Sequence, residues 1–141
     1  MEVIDVTTFE QLEVAYHIRY LVFVVEQGCP IQDEYDEYES VASHILIYEN
    51  EQPIGTARWR VVEGVAKLER ICVLVTHRQR GVGKFIVDAL EERAKRRGIQ
   101  QSKLHGQVQA EAFYHRLGYV TVSEPFVEDG IPHVLMVKEM H

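Results

Sequence analysis

Leu68-Glu69-Arg70-Ile71-Cys72-Val73-Leu74-Val75-Thr76-His77-Arg78-Gln79-Arg80-Gly81-Val82-Gly83-Lys84 is the stretch whose reading decides the fold. Its first eight residues form an apolar, β-branched run of strand length. After Gly83, residues Phe85, Ile86, Ala89, Leu90 and Ala94 fall on one stripe, opposite Glu91, Glu92, Arg93, Lys95, Arg96 and Arg97, until Gly98 stops the pattern. The order is therefore strand, tight glycine turn, helix. Gly81 and Gly83 remove side chains where a helix presents unpaired backbone amides, and Arg78, Arg80 and Lys84 add positive charge around them. Such a turn is a seat for a phosphate.

Two familiar glycine motifs do not account for it. A P-loop needs Ser or Thr after its lysine, and Lys84 is followed by Phe85; a dinucleotide fingerprint needs a third glycine at 86, which is Ile86.

Outward from this stretch, the spacing predicts a first strand over Glu2 to Val6. A helix follows, opened by the capping box Thr8-Phe9-Glu10-Gln11 and carrying Leu12, Ala15, Ile18 and Val22 toward Val25. Gly28 to Ser40 reads as an acidic connection without a period. Val41 to Tyr48 and Pro53 to Val62 read as strands around the loop Glu49-Asn50-Glu51-Gln52, and Glu63-Gly64 turns into the central strand, giving an antiparallel meander. Ser102 to His105, Tyr119 to Val122 and His133 to Lys138 are further strands. Gln109 to Leu117 is a short helix holding Phe113 and Tyr114, and a loop with Pro125, Gly130 and Pro132 separates the last two strands.

With 141 residues the chain suits one domain with a real core. Net charge is −7, yet the stretch between Tyr20 and Ala57 has eight acids and no Lys or Arg, so the rest is close to neutral. An acidic surface argues against nucleic acid as the main partner. The acidic run Asp33 to Glu39 is open to two readings, a solvated loop or the lining of a site for a cationic amine. No apolar run is long enough to span a membrane, and Met1-Glu2-Val3-Ile4-Asp5 lacks the basic-then-apolar pattern of a signal peptide, which predicts a cytoplasmic protein with no membrane partner. Cys29 and Cys72 fit neither a disulfide framework nor a metal motif, and the seven histidines show no zinc-type spacing; no metal is expected.

Arg-x-x-Gly-x-Gly from Arg78 to Gly83, after an apolar strand and with Phe113-Tyr114 and Leu117-Gly118-Tyr119 downstream, resembles the GCN5-related N-acetyltransferase (GNAT) superfamily. Val-Phe-x-x-Glu-Gln-Gly from Val22 to Gly28, His44, Leu68 to Val73, and Gly130-Ile131-Pro132-His133 further look like its small bacterial ElaA/YjcF-type branch. The resemblance implies a single α/β GNAT domain over residues 1–141, with a mixed, mostly antiparallel central sheet of about six to seven strands, splayed at the middle, and helices on both faces. It implies direct transfer of acetyl from acetyl-CoA to a primary amine of a small-molecule or peptide acceptor, with homodimers frequent. The alternative is an acyl-CoA-binding regulatory or interaction module without turnover.

By the same resemblance, the backbone at Ile71, Cys72 and Val73 would pair with pantetheine, Arg78, Arg80, Gly81, Val82, Gly83 and Lys84 would hold the pyrophosphate, and Phe113 would pack on the cofactor or in the core. Tyr114 would serve the leaving thiolate. The amine must lose a proton before attack, to a base or a water chain, and Glu69 or His105 is the candidate base, ahead of Glu26 or His44. Glu26, His44 and His133 are candidate acceptor contacts. A nucleophilic Cys72 is the competing route, disfavoured because no base is evident beside it.

Overall fold

The computed structural model describes residues 1–140. Strand β1 (Glu2–Asp5) leads into helix α1 (Phe9–Arg19), whose start is the expected capping box: the Gln11 amide donates to Thr8 Oγ1 at 3.1 Å, and Gln11 Oε1 accepts from the Thr8 amide at 3.1 Å. The helix does not end at Arg19. It widens into π-helical turns over Tyr20–Glu26, with the Gln27 amide reaching back to Val22 O. Helix α2 (Ile31–Glu34) is a single turn inside the acidic connection.

Strands β2 (Ser43–Glu49), β3 (Gln52–Val62) and β4 (Val65–Val73) form the expected meander, and both of its turns are two residues long. Asn50 and Glu51 close the first, both at positive φ, and Glu63-Gly64 closes the second in the same way, as right-twisted hairpins require. Helix α3 (Val82–Arg96), strand β5 (Gln101–Gln107), helix α4 (Glu111–Arg116), and strands β6 (Val120–Thr121), β7 (Phe126–Glu128) and β8 (Ile131–Glu139) complete the chain. The sheet therefore has eight strands, one more than the upper expectation. The addition is β7, three residues long, in what the sequence presents as a Pro- and Gly-containing loop.

The sheet runs β1-β2-β3-β4-β5-β8-β6, with β7 also on β8. Every pair is antiparallel except β4 with β5, which are parallel and paired only over Ala66–Leu68 against Ser102–Leu104. Beyond those residues the two strands have no common register, and the sheet opens into a cleft. A bulge in β4 adds to the divergence. Thr56 pairs with Cys72 but Arg58 with Glu69, so β4 has one extra residue there, and Arg70 takes φ +56°. The extra residue reverses the alternation: Ala66 and Leu68 before it, and Ile71 and Val73 after it, all face the same core.

That core lies under α3, where Ile86, Val87, Leu90 and Ala94 are fully buried against Ile45, Ile47, Ile54 and Leu104. A second core lies under α1, where Ala15, Ile18 and Val22 meet Leu46 and Cys72. Helices thus cover both faces, and each face buries one parity of the strands. No helix of the described residues is long and apolar enough to cross a membrane.

Candidate active site

Two adjoining hollows occupy the cleft, and Ile71 and Gln27 line both. One lies at the start of α3. There Gly81 caps the helix at φ +81°, a conformation that any Cβ would strain, although nothing would touch that Cβ. No side chain caps α3, so its first amides are left for another partner. Gly83 is constrained differently: a Cβ there would lie 3.0 Å from Phe113 Cζ, so the glycine admits the Phe113 ring. Cys72, Val73, Arg78, Val82, Lys84 and Phe113 line this hollow, bringing together most of the expected cofactor residues.

All three expected cations near this turn are paired. Arg78 donates to Val73 O at 3.0 Å and forms two hydrogen bonds with Glu26; Arg80 binds Glu49 at 2.9 Å, outside the hollow's lining; Lys84 binds Asp88 at 2.6 Å. Glu26 lines neither hollow; its carboxylate is paired with Arg78, and that hydrogen bond holds it below the usual range.

The second hollow lies between the diverging halves of β4 and β5 and is lined by Glu69, Arg70, His105, Tyr114, Glu128 and His133, among others. Tyr114 is on α4, one residue from Phe113 in the first hollow, and their rings meet edge to face at 5.0 Å. Burial pushes the Tyr114 phenol up to about 12, so it is a hydrogen-bond donor at any ordinary pH. His105 presents Nδ1 to Glu128 Oε2 at 2.7 Å. His133 is buried, with Nδ1 bonded to Ile131 O at 2.7 Å, and its ring stacks on Phe126.

Glu69 lines the same hollow but is committed elsewhere. Its Oε1 accepts from Arg58 and Arg60, each at 3.0 Å, and its Oε2 lies 3.0 Å from Lys67 Nζ. Burial raises its carboxyl, but these cations outweigh burial and the net shift is downward. A carboxylate so held is a poor proton acceptor. His44 is not brought to either hollow. It is buried beneath the acidic connection, with Nε2 on Glu39 O at 3.0 Å, and burial lowers its imidazole. Its role is to tie β2 to that connection.

Asp33 and Glu37 of the acidic run are exposed, but Glu34, Asp36 and Glu39 are neither solvated nor a free anionic lining. Arg19, 1% exposed, holds Glu34 and Glu39, while Arg58, also 1% exposed, holds Asp36, Glu39 and Glu69. Arg70, from the bulge, donates to Glu34 O at 3.1 Å. The run is a strap of counter-charges laid over buried arginines, and it fixes Glu34 and Cys29 as one wall of the second hollow. Cys72 is buried and its thiol is pushed up to about 12, which removes the thiolate that a nucleophile needs. Among the described residues no group of His, Cys, Asp or Glu is arranged to hold a metal ion.

Residues 22–140 match the family model of the acetyltransferase (GNAT) domain. The uncharacterized N-acetyltransferase YjcF of Bacillus subtilis is 47% identical over 92% of this chain and 94% of its own length. Two crystal structures superpose over nearly the whole chain. One, from Lactobacillus plantarum and assigned to the N-acetyltransferases, has TM-score 0.93 and 30% identity over 99% of this chain and 98% of that one. The other, Escherichia coli ElaA, has TM-score 0.87 and 28% identity over 98% of this chain and 99% of that one. With the splayed sheet, the β4 bulge and the uncapped glycine turn, these matches show that the chain belongs to the GNAT acetyltransferase family.

Proposed function

We propose that this protein transfers acetyl from acetyl-CoA directly to a primary amine of a small-molecule or peptide acceptor, with no covalent enzyme intermediate. The family uses acyl-CoA, and the observation that carries the finer reading is the junction of the two hollows. Ile71 and Gln27 line both, and α4 sets Phe113 in one and Tyr114 in the other. The seat fits the donor: the first amides of α3 have no cap, and Arg78 and Lys84 line it. The unpaired edge of β4 past Leu68 suits pantetheine amides. Bound acetyl-CoA supplies the activated acyl carbon. His105 Nε2 takes the first proton of the entering ammonium, and the amine nitrogen forms the new C–N bond as the C–S bond breaks. The proton this nitrogen sheds on becoming an amide goes to the departing sulfur, and the Tyr114 hydroxyl donates a hydrogen bond to that sulfur while its charge develops. His105 is preferred to Glu69 as the base because three cations already occupy the Glu69 carboxylate. Use of such a donor supports a cytoplasmic location.

The test is thiol release by the purified protein with acetyl-CoA across a broad amine panel. Turnover with at least one primary amine is expected; tight CoA binding with no release from any amine would instead favour a binding module. Arg78→Ala should weaken acetyl-CoA binding about tenfold by calorimetry, since a charge-assisted hydrogen bond contributes about 1.5–3 kcal/mol. Normal affinity in that variant would mean the seat is misassigned. Glu26→Gln should have the opposite sign. It frees Arg78 from a half-exposed ion pair of about 0.2–1 kcal/mol, so CoA should bind up to about fivefold tighter at low salt, with the gain fading as salt rises.

A further inference from the structure

The hairpin of β7 and β8 turns in two residues, Asp129 and Gly130, both at positive φ, with Glu128 paired to Ile131 and Phe126 to His133. That short turn places the Glu128 carboxylate against His105 on β5. The Phe126 ring meets His105 edge-on, with centroids 5.1 Å apart, so the imidazole is held at its edge by a carboxylate and at its side by an aromatic ring. A carboxylate can only accept. The hydrogen in the 2.7 Å contact therefore belongs to Nδ1, and the lone pair is on Nε2.

Resting on the transferase reading above, we propose that Glu128 is the positioning residue of the reaction: it fixes the His105 tautomer and ring so that Nε2 receives the acceptor's proton. The proton passes from the acceptor ammonium to Nε2 and gives an imidazolium, while Glu128 stays ionised and balances that charge. The hydrogen bond from His105 holds the Glu128 carboxyl below the usual range, consistent with an anion throughout. The other ionisable groups here are Cys29 and Glu34 of the wall, Lys67, Glu69 and Arg70 of β4, Tyr114 of α4, and Asp129 and His133 of the hairpin. Burial raises the Cys29 thiol, which keeps it neutral. Lys67 is paired with Glu69, and Arg70 with Glu34 and Asp36 of the strap. Tyr114 stays neutral, which leaves Asp129 and His133 as the groups to separate from His105.

Two readouts on the full chain test this, with Glu128→Ala and Glu128→Gln compared with wild type and His105→Gln. The first is residue-resolved ring nitrogen NMR, which separates His105 from His133 and needs no turnover. Wild-type His105 should be the Nδ1–H tautomer, Glu128→Gln should keep it through the amide oxygen, and Glu128→Ala should shift it mainly to Nε2–H. The second is the pH profile of kcat/KM. Glu128→Ala should lower kcat about tenfold or more with KM for acetyl-CoA within twofold. Glu128→Gln should lose less and move the acid limb to lower pH, since the imidazolium loses its counter-charge. A wild-type Nε2–H tautomer, or Glu128→Ala with unchanged kcat and acid limb, overturns the proposal. Absence of turnover by wild type with every amine would overturn the transferase reading instead, and the tautomer measurement would still decide whether Glu128 sets His105.

Discussion

Replacing Tyr114 by Phe should lower acetyl transfer at least tenfold and leave acetyl-CoA affinity nearly unchanged. The reason lies in what a buried phenol can and cannot do. A CoA-like thiol titrates at about 8.5. With the Tyr114 phenol pushed up to about 12, full proton transfer to the thiolate is uphill by about 3.5 pKa units, or about 5 kcal/mol. What remains is a hydrogen bond to a developing anion, worth about 1.5–3 kcal/mol, or about 10- to 150-fold in rate. The loss should fall on kcat, because charge on sulfur exists only as the C–S bond breaks. Phe keeps the ring and its edge contacts with Phe113 and Tyr119, so the fold should be unaffected. Steady-state kinetics with CoA calorimetry checks both halves, and unchanged turnover would sink the role given to Tyr114.

The glycine turn at the start of α3 was legible in the sequence because its determinants are local. A strand, two glycines two apart, flanking cations and an amphipathic helix lie within one continuous stretch, and each has a backbone reason to be where it is. The Thr8–Gln11 capping box was legible for the same reason. The second hollow is built from contacts far apart in the chain. Arg19 meets Glu34, Arg58 meets Asp36, and His105 meets Glu128, and no periodicity announces such pairs. An acidic run without cations looks solvated until the fold brings buried arginines beneath it. Strand β7 was hidden by its length and by the turn residues after it. Glu128, which follows from that strand, was missed with it. The only signal for it was one carboxylate immediately before Asp129-Gly130, a hairpin-turn pair. Arg70 gave no warning either: nothing in an arginine's identity predicts a left-handed backbone, and the bulge that demands it depends on the register with β3.

The strap makes the largest stability prediction. Arg19→Ala should destabilise the fold by up to about 3–5 kcal/mol in urea, because the Glu34 carboxylate, 1% exposed, keeps only Arg70 as a cation and Glu39 only Arg58. Against a typical stability of about 5–15 kcal/mol, the variant should still fold in the cold. Arg19→Met with Glu34→Met should be less damaging than Arg19→Ala alone, since it removes the buried charge along with its partner. Acid gives the sign of the effect. The Arg58 hydrogen bond pulls Asp36 down to about 2, and Glu39 is lowered because Arg19 outweighs its burial. Folded carboxyls that titrate below their unfolded values stabilise the protein above the ordinary carboxylate range, and that contribution is lost as pH falls toward 2. The gap between wild type and Arg19→Ala should narrow as pH falls through and below the ordinary carboxylate range, because Glu39 then gives up the charge that Arg19 holds. A gap that stays constant over that window would mean Arg19 acts by packing rather than charge. Because the strap walls only the second hollow, the same variant should raise KM for the acceptor amine while acetyl-CoA binding, measured below the melting transition, stays near wild type.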